Sequence, residues 1–328
     1  MNRVLVTTLT AALAVAMAVS LLAGAVWLSP AAIVAAFAAP HPSLASVIVS
    51  DIRLPRIVLG ALVGCILGLS GAVLQGLLRN PLAEPGLLGI TAGASLGAVV
   101  AIYYGFAAAF VLASPLFALV GALAAAAAAL ALARGGGTLA LILAGAAISS
   151  LAYAAVYLAL DLAPSPYATY EILTWLMGSL ADRSWDHVAL AGPFIAVGAT
   201  LLLFTARSLD ALTLGETAAA SLGVDVARVR LLALVGTALG VGAATAVAGS
   251  VGFVGLIAPH LVRPLVGHRP GAVLVPAALT GAIIVVLADL ATRVLRGSAQ
   301  GIGLGVFISL VGAPFFLWLV LRTARRTA

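Results

Sequence analysis

Long apolar runs follow one another along this chain of 328 residues, each about 18–25 residues in length and separated by short punctuated segments. Runs of that length decide the solvent. Hydrophobic residues make up 64% of the sequence and charged residues 8%, against about 25% charged in a soluble domain, so the chain lacks the polar residues to cover a water-facing surface. In lipid every backbone N–H and C=O must be paired within a helix or a closed barrel. Barrel strands alternate apolar and polar residues over roughly ten positions, whereas these runs are unbroken and rich in Ala, Leu, Val and Gly. The sequence therefore predicts an all-α, polytopic membrane protein with about ten transmembrane helices, near 4–28, 57–78, 87–106, 110–133, 138–160, 188–206, 229–249, 251–266, 272–292 and 303–322. The longest intervening segments, 29–56, 161–187 and 207–228, are too short for an independent soluble domain, so 1–328 reads as a single transmembrane domain. Arg3, the apolar stretch after it and the small residues near Ala23–Ala25 resemble a secretory signal. Because the run continues to Trp27-Leu28, long enough to span, a retained first helix is expected.

All sixteen basic residues are arginine. Without a lysine the chain cannot build the phosphate-binding loop that uses one, so ATP hydrolysis by that route is not expected of it. The sequence pI near 10.2 could suggest nucleic acid, but the arginines are scattered between apolar runs, and no nucleic-acid partner is expected. Cys65 is the single cysteine, which excludes an internal disulfide and a cysteine metal cluster. With the N-terminus inside, eleven arginines fall on inside segments and five (Arg53, Arg56, Arg183, Arg293 and Arg296) outside. That bias predicts both termini in the cytoplasm.

Four blocks carry more than hydropathy. The first is Arg53-Leu54-Pro55-Arg56, a helix with Ser70-Gly71 and Gln75, then Arg79-Asn80-Pro81-Leu82-Ala83-Glu84-Pro85-Gly86 and Gly89, whose prolines and glycine force a tight connection between helices. The second is Leu214-Gly215-Glu216 with Leu222-Gly223. The third is Gly252-Phe253-Val254-Gly255-Leu256 with Pro259-His260, Arg263, Gly267-His268-Arg269, Ala288-Asp289 and Arg293, and the fourth is Gly312-Ala313-Pro314-Phe315. In order and spacing these blocks resemble the FecCD-type permeases, the family of vitamin B12, haem and ferric-siderophore importers. A weak echo, Leu62-Val63-Gly64 with Gly68 against Leu234-Val235-Gly236 with Gly240, fits an inverted repeat or plain small-residue helix packing.

The resemblance implies the transmembrane permease subunit of an ATP-binding-cassette importer, with a vitamin B12 importer permease-like fold. It implies a homodimer in the bacterial inner membrane, cytoplasmic ABC ATPase subunits that hydrolyse the ATP, and a periplasmic substrate-binding protein. The permease itself is then no enzyme and needs neither cofactor nor metal. Gly215, Glu216, Leu222 and Gly223, in the polar segment 207–228, resemble the ATPase-coupling loop. Asn80 and Leu82 match cytoplasmic gate positions, with Thr138 near a second gate segment after the Gly135–Gly137 triplet. Arg53, Arg56 and Arg293 match positions that dock the binding protein, and planar guanidinium forks suit its carboxylates; interfacial anchoring is the alternative. Asp289 stands four residues before Arg293, so an ion pair along one helix face is also expected. His260 is expected to serve helix geometry and hydrogen bonding rather than to ligate haem. Gln300-Gly301-Ile302-Gly303 replaces the family's usual acidic-Leu-Pro, so a more flexible entrance to the last helix is expected. Haem is the expected cargo, with ferric siderophore or cobalamin open. The rival reading is an ion-coupled secondary transporter of a small solute, but such proteins bury ionisable residues in mid-span, and here Asp289 lies near a helix end.

Overall fold

A computed structural model describes residues 3–24, 26–38, 43–134, 136–295 and 302–327. Gly135, Arg296, Gln300 and Gly301 lie outside the described residues, as do the side chains of Arg322, Arg325 and Arg326. The described chain is helices joined by short connections: α1 Arg3–Leu22, α2 Pro30–Ala38, α3 Leu44–Val47, a π-helical turn Ile48–Arg53 that runs directly into α4 Leu54–Leu77, α5 Ile90–Tyr103, α6 Phe106–Ala109, α7 Ala113–Leu132, α8 Thr138–Asp161, α9 Pro166–Leu176, α10 Trp185–Phe204, α11 Ala206–Leu212, α12 Glu216–Ser221, α13 Val226–Ala248, α14 Val254–Val262, α15 Pro270–Leu295 and α16 Leu304–Thr327. Every expected span corresponds to a helix in this order. Among the described residues seven helices are long and apolar enough to cross a membrane, and Ile90–Tyr103, Val254–Val266 and Leu304–Trp318 are shorter apolar helices.

The expected span 251–266 needs correction. α14 has nine residues, about 14 Å of helix at 1.5 Å per residue, half of a hydrocarbon core of roughly 30 Å. Residues 249–253 before it are not helical, because Phe253 takes a left-handed conformation (φ 64°). Pro259 sits within α14 without ending it; the change to a 3-10 turn comes four residues later, at Arg263–Val266.

Helices α4, α13 and α15 supply much of the buried core, including Leu59, Ile66, Leu74, Leu234 and Val285. Small residues let their backbones touch. A Cβ on Gly64 would collide with the Gly281 carbonyl of α15, and one on Gly71 with the Gly255 carbonyl of α14. The second copy of the sequence echo does the same with another partner, since Gly236 packs against Gly198 of α10. Helix packing accounts for both copies.

Candidate functional site: two charged ends and an apolar cavity

Charged residues collect at the two ends of the helix bundle. At the end where α1 finishes, Asp289 is 2% exposed and accepts from the Arg56 Nε and a terminal nitrogen at 2.8–3.0 Å. The Arg293 Nε lies 3.2 Å from the Asp289 Oδ2, which Arg56 also reaches, in the expected i,i+4 pair. Arg293 also donates to the Ser20 carbonyl at 3.2 Å, the Ala23 carbonyl at 3.4 Å and the Ser20 hydroxyl. Arg53, 5% exposed, donates to the carbonyls of Leu21, Leu22 and Val26. The last carbonyls of a helix have no partner within it. Here two arginines from other helices supply the donors, and α1 is held to α4 and α15 by its end.

Arg53, Arg56 and Arg293 share this end, but their guanidinium groups are buried and turned inward, onto Asp289 and the close of α1. No carboxylate in the sequence pattern marks α1 as their partner, because its acceptors are main-chain oxygens and the Ser20 hydroxyl. Arg183 belongs to the same end: its Nε donates to the Val247 carbonyl at 2.6 Å, and burial lowers its pKa.

At the opposite end the coupling and gate residues gather. Gly215 (φ 103°) and Gly223 (φ 83°) bracket α12 in backbone conformations that favour glycine. Glu216, the first residue of α12, lies 3.4 Å from Arg230 of α13 and 3.5 Å from the Thr138 hydroxyl of α8. Asp210 of α11 accepts from the Gly271 N–H at 2.8 Å and from Arg269 at 3.0 Å. Leu222 is exposed. Asn80 closes its own turn, its side-chain oxygen accepting from the Leu82 N–H at 2.9 Å, and Leu82 is exposed. Sequence reasoning missed the tie between two motif residues 188 apart: Arg263 donates to the Gln75 Oε1, and the Gln75 Nε2 donates to the Gly255 carbonyl at 3.2 Å. Glu84 accepts from the Phe253 N–H, so the α4–α5 connection meets the start of α14; burial raises the Glu84 pKa against the lowering effect of that bond.

Between the ends an open cavity of about 870 Å³ is lined by Leu176 and Met177 beside α9, by Ser250 and Gly252 from the non-helical stretch, and by Leu310 and Pro314 of α16. Main chain departs from helix here because it borders a cavity rather than lipid. Ser179 donates to the Ala248 carbonyl at 2.8 Å, while Leu304 and Gly305 donate to the carbonyls of Gly178 and Met177 at 2.9 and 3.1 Å. The end of α9 is thus stitched to α13 and α16. Gly303 and Gly305 sit too close to Met177 for a side chain, so these two glycines serve tight packing; Gln300 and Gly301 of the expected flexible entrance lie outside the described residues. His260 points elsewhere, its ring edge-on to Phe315 at 6.2 Å and its Nδ1 buried without a hydrogen bond, which corrects the expected bonding role for that atom.

Broken apolar helices around a cavity, with polar ties confined to the bundle ends, define a multi-pass transport permease. The sequence matches the FecCD transport family over residues 12–322, and the chain belongs to that family of ABC importer permeases. It is 42% identical over 301 residues to the cobalamin import system permease protein BtuC of Halobacterium salinarum, covering 88% of this chain and 78% of that one. It is 41% identical over 277 residues to the hemin transport system permease protein HmuU of Yersinia pestis, covering 83% and 82%. Among solved structures, an inward-facing metal-chelate type ABC transporter superposes with a TM-score of 0.87 at 32% identity, over 97% of this chain and 98% of that one.

Proposed function

We propose that two copies of this chain form the membrane-spanning part of a haem importer, in which ATPase subunits dock on 207–228 from the cytoplasm and a binding protein delivers cargo from outside. The observation that carries the cargo is the cavity, whose six named lining residues include no charge. Such a wall suits the broad apolar face of a tetrapyrrole and offers nothing to a small hydrated ion or a polyanionic chelate. The names of the H. salinarum and Y. pestis relatives point to the same cargo class. The cavity is open along one side of the chain, and a second copy is what would close it into a passage.

Orientation rests on the arginine bias, eleven against five. With Cys65 replaced by Ala, a cysteine beside Arg183 is expected to react with an impermeant thiol reagent from outside and one beside Arg228 only from inside; the reverse would move the coupling reading to the wrong side of the membrane. For function, the chain is reconstituted with its ATPase and haem-loaded binding protein in liposomes. Haem uptake that needs internal ATP is expected. Uptake driven by a proton or sodium gradient without ATP would establish the secondary-transporter reading instead.

A further inference from the structure

We infer that Asp210 and Glu216, six residues apart in the 207–228 segment, are positioning residues with opposite duties: Asp210 anchors the segment to α15, and Glu216 is the latch through which it moves α8. The inference rests on the coupling reading of this segment.

The two carboxylates differ in every respect that sets how firmly they hold. Asp210 accepts from the Gly271 N–H at 2.8 Å and from Arg269 at 3.0 Å. The first of these donors belongs to the opening turn of α15, where N–H groups lack helical partners and the helix dipole favours an anion. Backbone contact reinforces the tie, because a Cβ on Gly271 would collide with the Ala206 carbonyl of α11. At its far end α15 carries Asp289 and Arg293, bound to Arg56 of α4 and to the close of α1. Asp210 thus joins the segment to a body of three helices pinned at both ends.

Glu216 holds loosely. Its side chain is 48% exposed, and its contacts with Arg230 and Thr138, at 3.4 and 3.5 Å, lie at the long limit of hydrogen bonding. Thr138 is the first residue of α8. Four residues after α8 ends, α9 begins, and Leu173 and Leu176 of α9 line the apolar cavity. A displacement at Thr138 is therefore delivered along one helix to the cavity wall. There is room for it: a cleft of about 470 Å³, bordered by Arg134, Gly136, Gly137, Glu216 and Arg230, lies beside the start of α8. When α12 shifts, the long contacts of Glu216 part before the short ones of Asp210. The segment then pivots about α15 and releases α8.

The test uses the chain reconstituted with its ATPase, measuring capture of the ATPase and cargo moved per ATP as separate readouts. Thr138→Val and Arg230→Gln lie outside the segment; they are expected to keep capture and to lower cargo per ATP by about fivefold, the scale of a coupled pair. Asp210→Ala is expected to weaken capture by about tenfold, in line with loss of a charge-assisted bond. Asp210→Asn, which keeps an acceptor for Gly271, should weaken it less and remains informative if the alanine variant does not fold. Unchanged cargo per ATP in both Thr138→Val and Arg230→Gln would overturn the latch, and unchanged capture in Asp210→Asn and Asp210→Ala would overturn the anchor. Failure of the unmutated chain to capture its ATPase would overturn the coupling reading itself, and it shows without any variant.

Discussion

Arg56 and Asp289, 233 residues apart in sequence, meet in a two-pronged pair in which both Asp289 oxygens accept from Arg56. Each position alone reads as a misplaced charge near the end of an apolar helix. Together with Arg293 they form a buried cluster that fixes α4 against α15 at the end where α1 closes.

Asp289→Ala is expected to destabilise the fold by about 3–5 kcal/mol, because it leaves two buried guanidinium groups without their shared counter-charge. Thermal unfolding in detergent measures it. Removing Arg56 and Asp289 together in favour of apolar residues should cost less than Asp289→Ala alone, and a double-mutant cycle with additive losses would contradict the pairing.

Arg53→Ala is expected to free the end of α1. Three carbonyls lose a charged donor, at about 1.5–3 kcal/mol for a bond of this kind. Proteolysis after Leu22 should accelerate while the rest of the bundle stays protected. If instead the variant is as stable as the parent and only association with the binding protein falls, Arg53 serves docking and not α1.

Gly71→Ala tests the contact between α4 and α14. The added methyl would strike the Gly255 carbonyl, which is backbone and cannot swing aside. Overpacking of this sort costs about 1–3 kcal/mol, and it should also disturb the Gln75 bond to the same carbonyl. Gly252→Ala is the control, since nothing stands near its Cβ position; equal losses in both would rule out the close approach as the cause.

Glu84 supplies a pH dependence. Burial raises its pKa in the folded chain, so the folded state binds a proton more tightly than the unfolded one. Stability from this group is present at low pH and falls as pH rises from the ordinary carboxylate range through the raised value. Glu84→Gln, which mimics the protonated form, is expected to be more stable than the parent at neutral pH, with the difference closing under acid conditions. A difference that grows as pH falls would reverse the sign and refute the burial account.

Much of this fold was legible because lipid imposes a coarse rule. Unbroken apolar length marks helices, and polar residues collect at their ends, so the spans and the 207–228 segment could be read directly. Apolarity does not report backbone conformation, however, so 251–266 looked like a whole span although Phe253 breaks it. Partnerships with main-chain oxygen leave no trace either. Nothing in the pattern around Arg53 points to the Leu21 and Val26 carbonyls. Gln75 and Arg263 meet side chain to side chain, and there the 188-residue separation alone hides the contact.

The clasp on α1 also sets an order of events during synthesis. The oxygens that end α1 are made within the first 26 residues; Arg53 follows soon after, but Arg293 arrives only when nearly the whole polypeptide has emerged. Until then Arg56 has no Asp289, and the first helix has only half of its fastening. A chain that stops early leaves the Arg56 guanidinium without its carboxylate among apolar helices, whereas the finished chain supplies Asp289 from its own last third.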